Sequence, residues 1–192
     1  MNDERIDPRI LRTRALLRQA LLTLVPKKGF SSLTIQDITD QATLNRATFY
    51  LHYTDKNELL LDVFDDLIKQ AIPLPVKDAR DQNEVPRPIV AMFDHVAAYA
   101  DFYRVILGEE GVPVFVARIR DYIENLVLQW ILATQKIETG NLIDPGILVN
   151  FWAFAHIGVV TWWLDNDMPY TSEQMEQQLL IMTRIDPNHS GG

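Results

Sequence analysis

Seven consecutive residues, Arg46 to His52, hold a cation, two hydroxyls, an imidazole and a small methyl, with no carboxylate among them. That inventory suits a surface laid against phosphate oxygens and base edges. Arg46 can take guanine through two hydrogen bonds, or it can clamp a phosphate. Ala47 either meets a thymine methyl or is small so that its helix can enter a groove. Thr48, Tyr50, His52 and Lys56 have the chemistry of phosphate contacts, which add affinity without sequence information. Tyr50 has a second reading, as packing against a local core. A shared surface requires a helix here. Asn45 is a good N-cap for it, and Phe49 and Tyr53, one turn apart, fall on its inner side with Leu44.

A preceding helix must position that one. Ile35, Ile38 and Ala42 repeat at three- and four-residue steps and share one face. Thr34 stands before them as N-cap, with Asp37 three residues on to reinforce it. Thr43 and Leu44 interrupt the period. Two short helices joined by a tight turn, the second presenting a carboxylate-free face, form a helix-turn-helix arrangement. The candidate DNA-facing set is Thr34, Asn45, Arg46, Ala47, Thr48, Tyr50, His52 and Lys56.

The string TFYLHYTDKNELL, holding Thr48, Phe49, Tyr50, His52, Tyr53, Lys56 and Leu59-Leu60, resembles the signature of the tetracycline-repressor-like (TetR/AcrR) regulators. The resemblance covers about the first 70 residues. It implies an all-α chain, with an N-terminal three-helix DNA-binding head and a C-terminal helical body for effector binding and dimerisation. It also implies a phosphate contact for Lys56. One position departs from the pattern. The family often has glycine in the turn, where this chain has Thr43, and a β-branched residue at positive φ is strained.

Bulk properties bound the rest. A chain of 192 residues, 47% of them hydrophobic, can bury a real core in one or two domains. No apolar run is long enough to span a bilayer; Phe151 to Leu164 is too short and contains His156. MNDERIDPRI has no apolar signal-peptide core. With no cysteine there is neither a disulfide framework nor a thiolate nucleophile or metal site. A cytoplasmic location is expected, with no membrane partner. The net charge of −8 looks wrong for a DNA binder, but it is unevenly spread. Residues 1–56 hold nine Lys or Arg against six Asp or Glu, while the remainder holds nine against twenty. Phosphate contact needs only a local positive face, and the acidic remainder orients the N-terminal end toward the duplex.

Taken in order, Asp7-Pro8 is a cap-then-proline helix start, and the helix runs to about Lys28. Its apolar side holds Leu11, Ala15, Leu17, Leu21, Leu22 and Val25. Arg14 and Arg18 read as solvated charges on it, whereas Arg9, Arg12 and a basic arm at Arg5 can reach phosphate. Asp55 caps a fourth helix, Lys56 to about Ile72, which in the family links head to body. A Pro-, Asp- and Asn-rich loop follows to Pro88. One helix is expected over Ile89 to Leu107, a second over Val114 to about Ile137, and a loop at Glu138 to Asn141. Asp144-Pro145 then repeats the cap-then-proline signal. The next helix, Gly146 to about Asn166, is apolar nearly all round, so it is expected to be buried on all sides. Met168 to Thr171 turns the chain into a last helix carrying Met175, Leu179 and Met182. The expected domains are 1–54 (head), 55–72 (connecting helix), 73–186 (body) and 187–192 (disordered tail).

These patterns lead to a homodimer in which the last two helices pair with their copies, through Phe151, Phe154, Trp162, Trp163, Met175, Leu179 and Met182. Phe93, Tyr103, Tyr122, Trp130, Trp152 and His156 are candidates to line an effector pocket. The expected function is a repressor on an inverted-repeat operator in double-stranded DNA, released by a small molecule. One alternative is a DNA-binding regulator without small-molecule sensing, controlled by a partner protein. Another is an α-helical enzyme using His156 with Asp165, though no nucleophile motif or phosphate loop supports it. No pair of histidines has zinc-site spacing, and no cofactor is implied.

Overall fold

A computed structural model describes residues 7–71, 88–108, 111–134 and 144–183. Among them are nine helices: α1 (Pro8–Lys28), α2 (Ile35–Gln41), α3 (Arg46–Tyr50), α4 (Lys56–Ala71), α5 (Pro88–Ala98), α6 (Ala100–Leu107), α7 (Pro113–Thr134), α8 (Pro145–Asp165) and α9 (Ser172–Thr183). No strand occurs among the described residues. The expected Arg5 arm, the loop after α4, the Glu138–Asn141 loop and the C-terminal tail lie outside them, as does the side chain of Trp130.

Local capping chemistry sets most helix starts. The Asp7 carboxylate accepts the Arg9 amide at 2.8 Å, with Pro8 in the first turn. Asp144 does the same for the Gly146 amide at 2.7 Å, ahead of α8. The Asp55 carboxylate accepts the Asn57 and Glu58 amides. Thr171 and Gln174 exchange backbone-to-side-chain bonds at the start of α9. Each cap satisfies amides that a helix start otherwise leaves open.

Helices α1, α2 and α3 pack into the head. Its core is Leu17, Leu21, Val25, Phe30, Leu33, Ile38, Ala42, Phe49 and Tyr53. The N-terminal half of α1 departs from its expected apolar side, because Leu11 and Ala15 are exposed and burial begins at Leu17. Arg14 and Arg18 depart too. Arg18 is ion-paired to Asp62 at 3.1 Å and Asp66 at 3.4 Å on α4, and the Arg14 guanidinium lies 5.8 Å from the Tyr53 ring centroid. These side chains join helices rather than coat a solvated face. In turn, α4 packs on α1 and on α7, so it bridges head and body.

The body holds two differences from the sequence reading. The segment read as one helix is two, broken at Tyr99 (φ −121°, ψ 30°). Each half has its own neighbours: α5 lies on α9, while α6 lies on α8 and α1. The second difference concerns α8. Val149, Ala153, Val160, Trp163 and Leu164 are buried, but Ile147, Phe151, Phe154 and Trp162 are 68%, 63%, 56% and 49% exposed. One side of this all-apolar helix therefore faces outward. Three of the expected dimer residues are not on that side. Trp163 meets Phe93 edge to face at 5.0 Å, and its indole N–H donates to the Tyr170 carbonyl at 2.9 Å. Met175 and Leu179 are buried in the same core, since α9 needs them to seat on α5.

Candidate nucleic-acid interface

Helix α2 is fixed at its start by a reciprocal cap. Thr34 accepts the Asp37 amide at 3.1 Å, and the Asp37 carboxylate accepts the Thr34 amide at 3.0 Å and its hydroxyl at 2.6 Å. Lys28, from the end of α1, donates to the same carboxylate at 2.5 Å. The Lys28 bond, followed by the Thr34 hydroxyl and amide, holds the Asp37 carboxyl well below the usual carboxylate range. Thr34 itself is exposed, at the rim of the head.

The turn that follows is tight. Leu44 N–H donates to the Thr39 carbonyl at 2.8 Å, Thr43 N–H donates to Asp40, and Thr43 sits at φ 55°. The strain expected of a β-branched residue at this position is therefore present. Asn45 then caps α3, its side-chain oxygen accepting the Thr48 amide at 2.8 Å and the Thr48 hydroxyl at 3.0 Å.

Five residues make too short a helix to stand alone. Phe49, fully buried and 5.7 Å from the Tyr53 ring, holds α3 to the head. The Tyr53 hydroxyl donates to Asp62 of α4, which also takes Arg18. Burial and the Asp62 carboxylate push the Tyr53 phenol above its ordinary range, so it stays a donor.

With Phe49 turned in, Asn45, Arg46, Ala47 and Tyr50 are exposed, and Thr48 and His52 are half-buried beside them. The Arg46 guanidinium donates to the Tyr50 hydroxyl at 3.3 Å and lies 6.0 Å from its ring centroid. Leu51, at the end of α3, is 81% exposed. The sequence alone marks no role for Leu51. Its direction is visible only once Phe49 and Tyr53 take the inner face.

Lys56 is used differently from the phosphate contact expected of it. Its ammonium donates to the carbonyls of Phe30 at 2.9 Å, Ser31 at 3.0 Å and Leu33 at 2.9 Å. All three of its donors are thereby engaged inside the head.

Among the described residues, the pocket candidates are not gathered into one cavity. Phe93 and Tyr103 are sealed in the body core, and the Tyr103 hydroxyl meets His95 Nε2 at 3.1 Å. Burial raises Tyr103 above the ordinary phenol range and lowers His95. Tyr122 packs edge-on against Phe64 of α4 at 6.1 Å. Trp152 and His156 pair along α8, with His156 Nδ1 2.7 Å from the Trp152 carbonyl. Asp165 lies nine residues farther along the same helix, about 13 Å by helical rise, so it does not meet His156 as an acid–base pair. A groove of about 830 Å³ lies instead on the outward side of α8, along Ile147, Phe151 and Phe154. No cluster of three metal-ligating side chains occurs among the described residues, and none of their helices is long and apolar enough to cross a membrane.

Comparison with known proteins agrees with this geometry. Residues 17–63 match the bacterial regulatory proteins of the tetR family, and residues 83–184 match a transcriptional regulator C-terminal region. An uncharacterized HTH-type transcriptional regulator of Bacillus subtilis (strain 168), YxbF, is 46% identical over 59 residues, covering 30% of this chain and 16% of its own length. The HTH-type transcriptional regulator EthR of Mycolicibacterium smegmatis is 28% identical over 136 residues, covering 67% of this chain and 59% of its own. The chain thus spans less than two thirds of the length of either relative. A TetR transcriptional regulator from Streptococcus agalactiae 2603V superposes with a TM-score of 0.69 at 26% identity, over 92% of this chain and 96% of that one. The fold is also that of a transcriptional regulator FadR from Bacillus subtilis, solved in complex with stearoyl-CoA (TM-score 0.62, 18% identity, 88% and 96% covered).

Proposed function

The chain belongs to the TetR family of bacterial transcriptional regulators, and from that premise we propose that it acts as a homodimeric repressor on a palindromic operator. The observation that carries this reading is the outward face of α3, which has no carboxylate. Arg46, Ala47, Thr48, Tyr50 and His52 surround it, and Phe49 holds it to a packed head. Arg46, braced against Tyr50, is the base-reading candidate; Thr34, Asn45, Thr48, Tyr50 and His52 reach phosphates, and Ala47 and Leu51 lie against thymine methyls. The exposed stripe Ile147, Phe151, Phe154 and Trp162 on α8, with Met182 of α9, forms the dimer face, so that two heads meet one side of the duplex.

Effector control runs through α4. Its head end is joined to α1 and Tyr53, while its body side is joined to α7. There Arg118 pairs with Asp65 at 2.8 Å, and Phe64 packs edge-on to Phe115 at 5.2 Å. A small molecule favouring another α4 tilt weakens DNA binding, and DNA weakens the effector by the same factor.

The sealing of Phe93 and Tyr103 in the core favours a second reading. In it the regulator senses no small molecule and is controlled by a partner protein.

Selection of bound sites from random duplexes tests the first reading, repeated with a library of small apolar and aromatic compounds. An inverted repeat bound with strong salt dependence supports the regulator, and release by a compound supports the sensor. A monomer with no preference for any inverted repeat ends the first reading, and an operator complex indifferent to every compound favours the second.

A further inference from the structure

We propose that Lys56 is a positioning residue of the DNA-reading head, setting the angle at which the helix-turn-helix sits on α4. The inference rests on the DNA-binding reading and assigns one residue a role within it. The linker between α1 and α2 leaves the helix through Gly29 at φ 72°, so its carbonyls have no helical partners. Those of Phe30, Ser31 and Leu33 converge on the Lys56 ammonium at 2.9–3.0 Å, and the Phe30 ring centroid lies 4.8 Å beneath it. The ammonium has three donors and three acceptors, and a phosphate would have to strip away one of them.

The location gives this clamp its consequence. Lys56 is the first residue of α4, and Leu33 immediately precedes Thr34, the cap of α2. The start of α4 is thus tied to the start of α2, which carries the turn and α3. Arg18 and Tyr53 tie α1 and the end of α3 to Asp62, farther along α4. Arg18 also pairs with Asp66 at 3.4 Å, so the head meets α4 at Lys56, Asp62 and Asp66, and Lys56 is the point nearest α2. Val105 of α6 borders the same linker across a cleft of about 130 Å³, so a shift of α6 bears on the residues that Lys56 holds.

The test compares Lys56→Met, Lys56→Arg and the milder Lys56→Gln, each studied below its own melting temperature. The chain has no cysteine, so spin labels go cleanly onto exposed Gln36 in α2 and Lys69 in α4. Labelled subunits are diluted with unlabelled protein, and the head-to-α4 distance is read by double electron–electron resonance. In parallel, affinity is measured for the operator selected by the wild type and for the same site with its halves moved apart by one base pair.

All three variants should broaden or shift the distance and lower the spacing discrimination at least fivefold, with an unchanged salt slope. Arginine should fail like methionine, since a planar guanidinium cannot serve three carbonyls that converge on one nitrogen. A phosphate contact predicts the opposite: Lys56→Arg binds like the wild type, and Lys56→Met lowers the log–log salt slope by about 0.9 per head with discrimination kept. That result overturns the proposal. So does a drop in melting temperature alone, with distance and discrimination unaltered. A wild type that selects no inverted repeat sinks the DNA-binding reading instead, and the spin-label distances still decide whether the clamp sets the head.

Discussion

Thr43 offers the sharpest test of the turn geometry. It sits at φ 55° with an exposed side chain, between the last turn of α2 and the Asn45 cap. An L-residue in the left-handed region costs about 1–2 kcal/mol, and a β-branched one belongs at the upper end. Thr43→Gly removes that cost and adds roughly 0.5–1 kcal/mol of chain entropy lost on folding. The net is a gain of about 1 kcal/mol, or roughly 2–4 °C in melting temperature for a chain of this size. Thr43→Asn should gain similarly with less entropy lost, since Asn is enriched in this region. Thr43→Ala keeps a Cβ at positive φ and should move the melt by less than about 1 °C. The assay is thermal unfolding followed by circular dichroism at fixed protein concentration, because an oligomer's melt depends on it. The turn keeps its backbone, so operator affinity should hold within about twofold, a change of only tenths of a kcal/mol. If glycine leaves the melt unchanged or lowers it while alanine raises it, the strain argument is wrong.

Other perturbations address the reading face, the dimer and the cap. Arg46→Ala should weaken operator binding by about 1–3 kcal/mol and relax preference at one position of each half-site, read by repeating the site selection. A uniform loss across all sequences with a reduced salt slope would make Arg46 a phosphate clamp. Phe154→Glu should give monomers by sedimentation velocity. Burying the exposed 56% of a side chain of roughly 200 Å² contributes about 3 kcal/mol per protomer, before the added charge is counted. A persistent dimer would move the interface off α8. Phe49→Ala should cost about 3–5 kcal/mol and abolish DNA binding before the body unfolds, since it removes the anchor of α3.

Asp37 gives a pH signature. Its folded carboxyl is held below the unfolded value of about 4, first by Lys28 and then by Thr34. Its stabilisation is therefore complete above that value and is lost as pH falls toward the folded one. Asp37→Asn should melt lower than the wild type by a constant amount above about pH 5, with the gap closing as pH falls below about 4. A gap that widens on acidification would reverse the sign and refute the assignment.

The parts of this fold legible in the sequence are the parts decided locally. Asp7-Pro8, Thr34 with Asp37, Asn45, Asp55 and Asp144-Pro145 each sit at the helix start they signal, because a cap acts over three residues. The strain at Thr43 was legible only through the family resemblance, which places glycine in that turn. What was not legible depends on partners far along the chain. Arg18 and Asp62 are 44 residues apart, and Lys56 reaches carbonyls 23 to 26 residues away, so the sequence alone reads Arg18 as a solvated charge and Lys56 as a phosphate contact. Nothing in AAYADFY marks the break at Tyr99, which follows from α5 and α6 seating on different helices. On α8 the obstacle was uniformity. A helix apolar all round carries no pattern to say which side turns in, so Trp162 and Trp163 looked alike until Phe93 claimed Trp163.

The three ties between head and α4 bear on how little the proposed effector would have to do. With 16 residues, α4 is roughly 24 Å long. If it is held at Phe64 and Asp65 by Phe115 and Arg118 and tilts by about 10°, its first residue, about 13 Å away by helical rise, moves about 2 Å. A loosely attached head would absorb such a shift in its own linkers. A head joined through Lys56, Arg18 and Tyr53 carries it to Arg46 without loss. Two-fold symmetry doubles the change in head separation to about 4 Å, which exceeds the 3.4 Å rise of one base pair. A small rotation of α4 is then enough to put one half-site out of register. Weakening any single tie should blunt the effector's leverage even where operator binding survives.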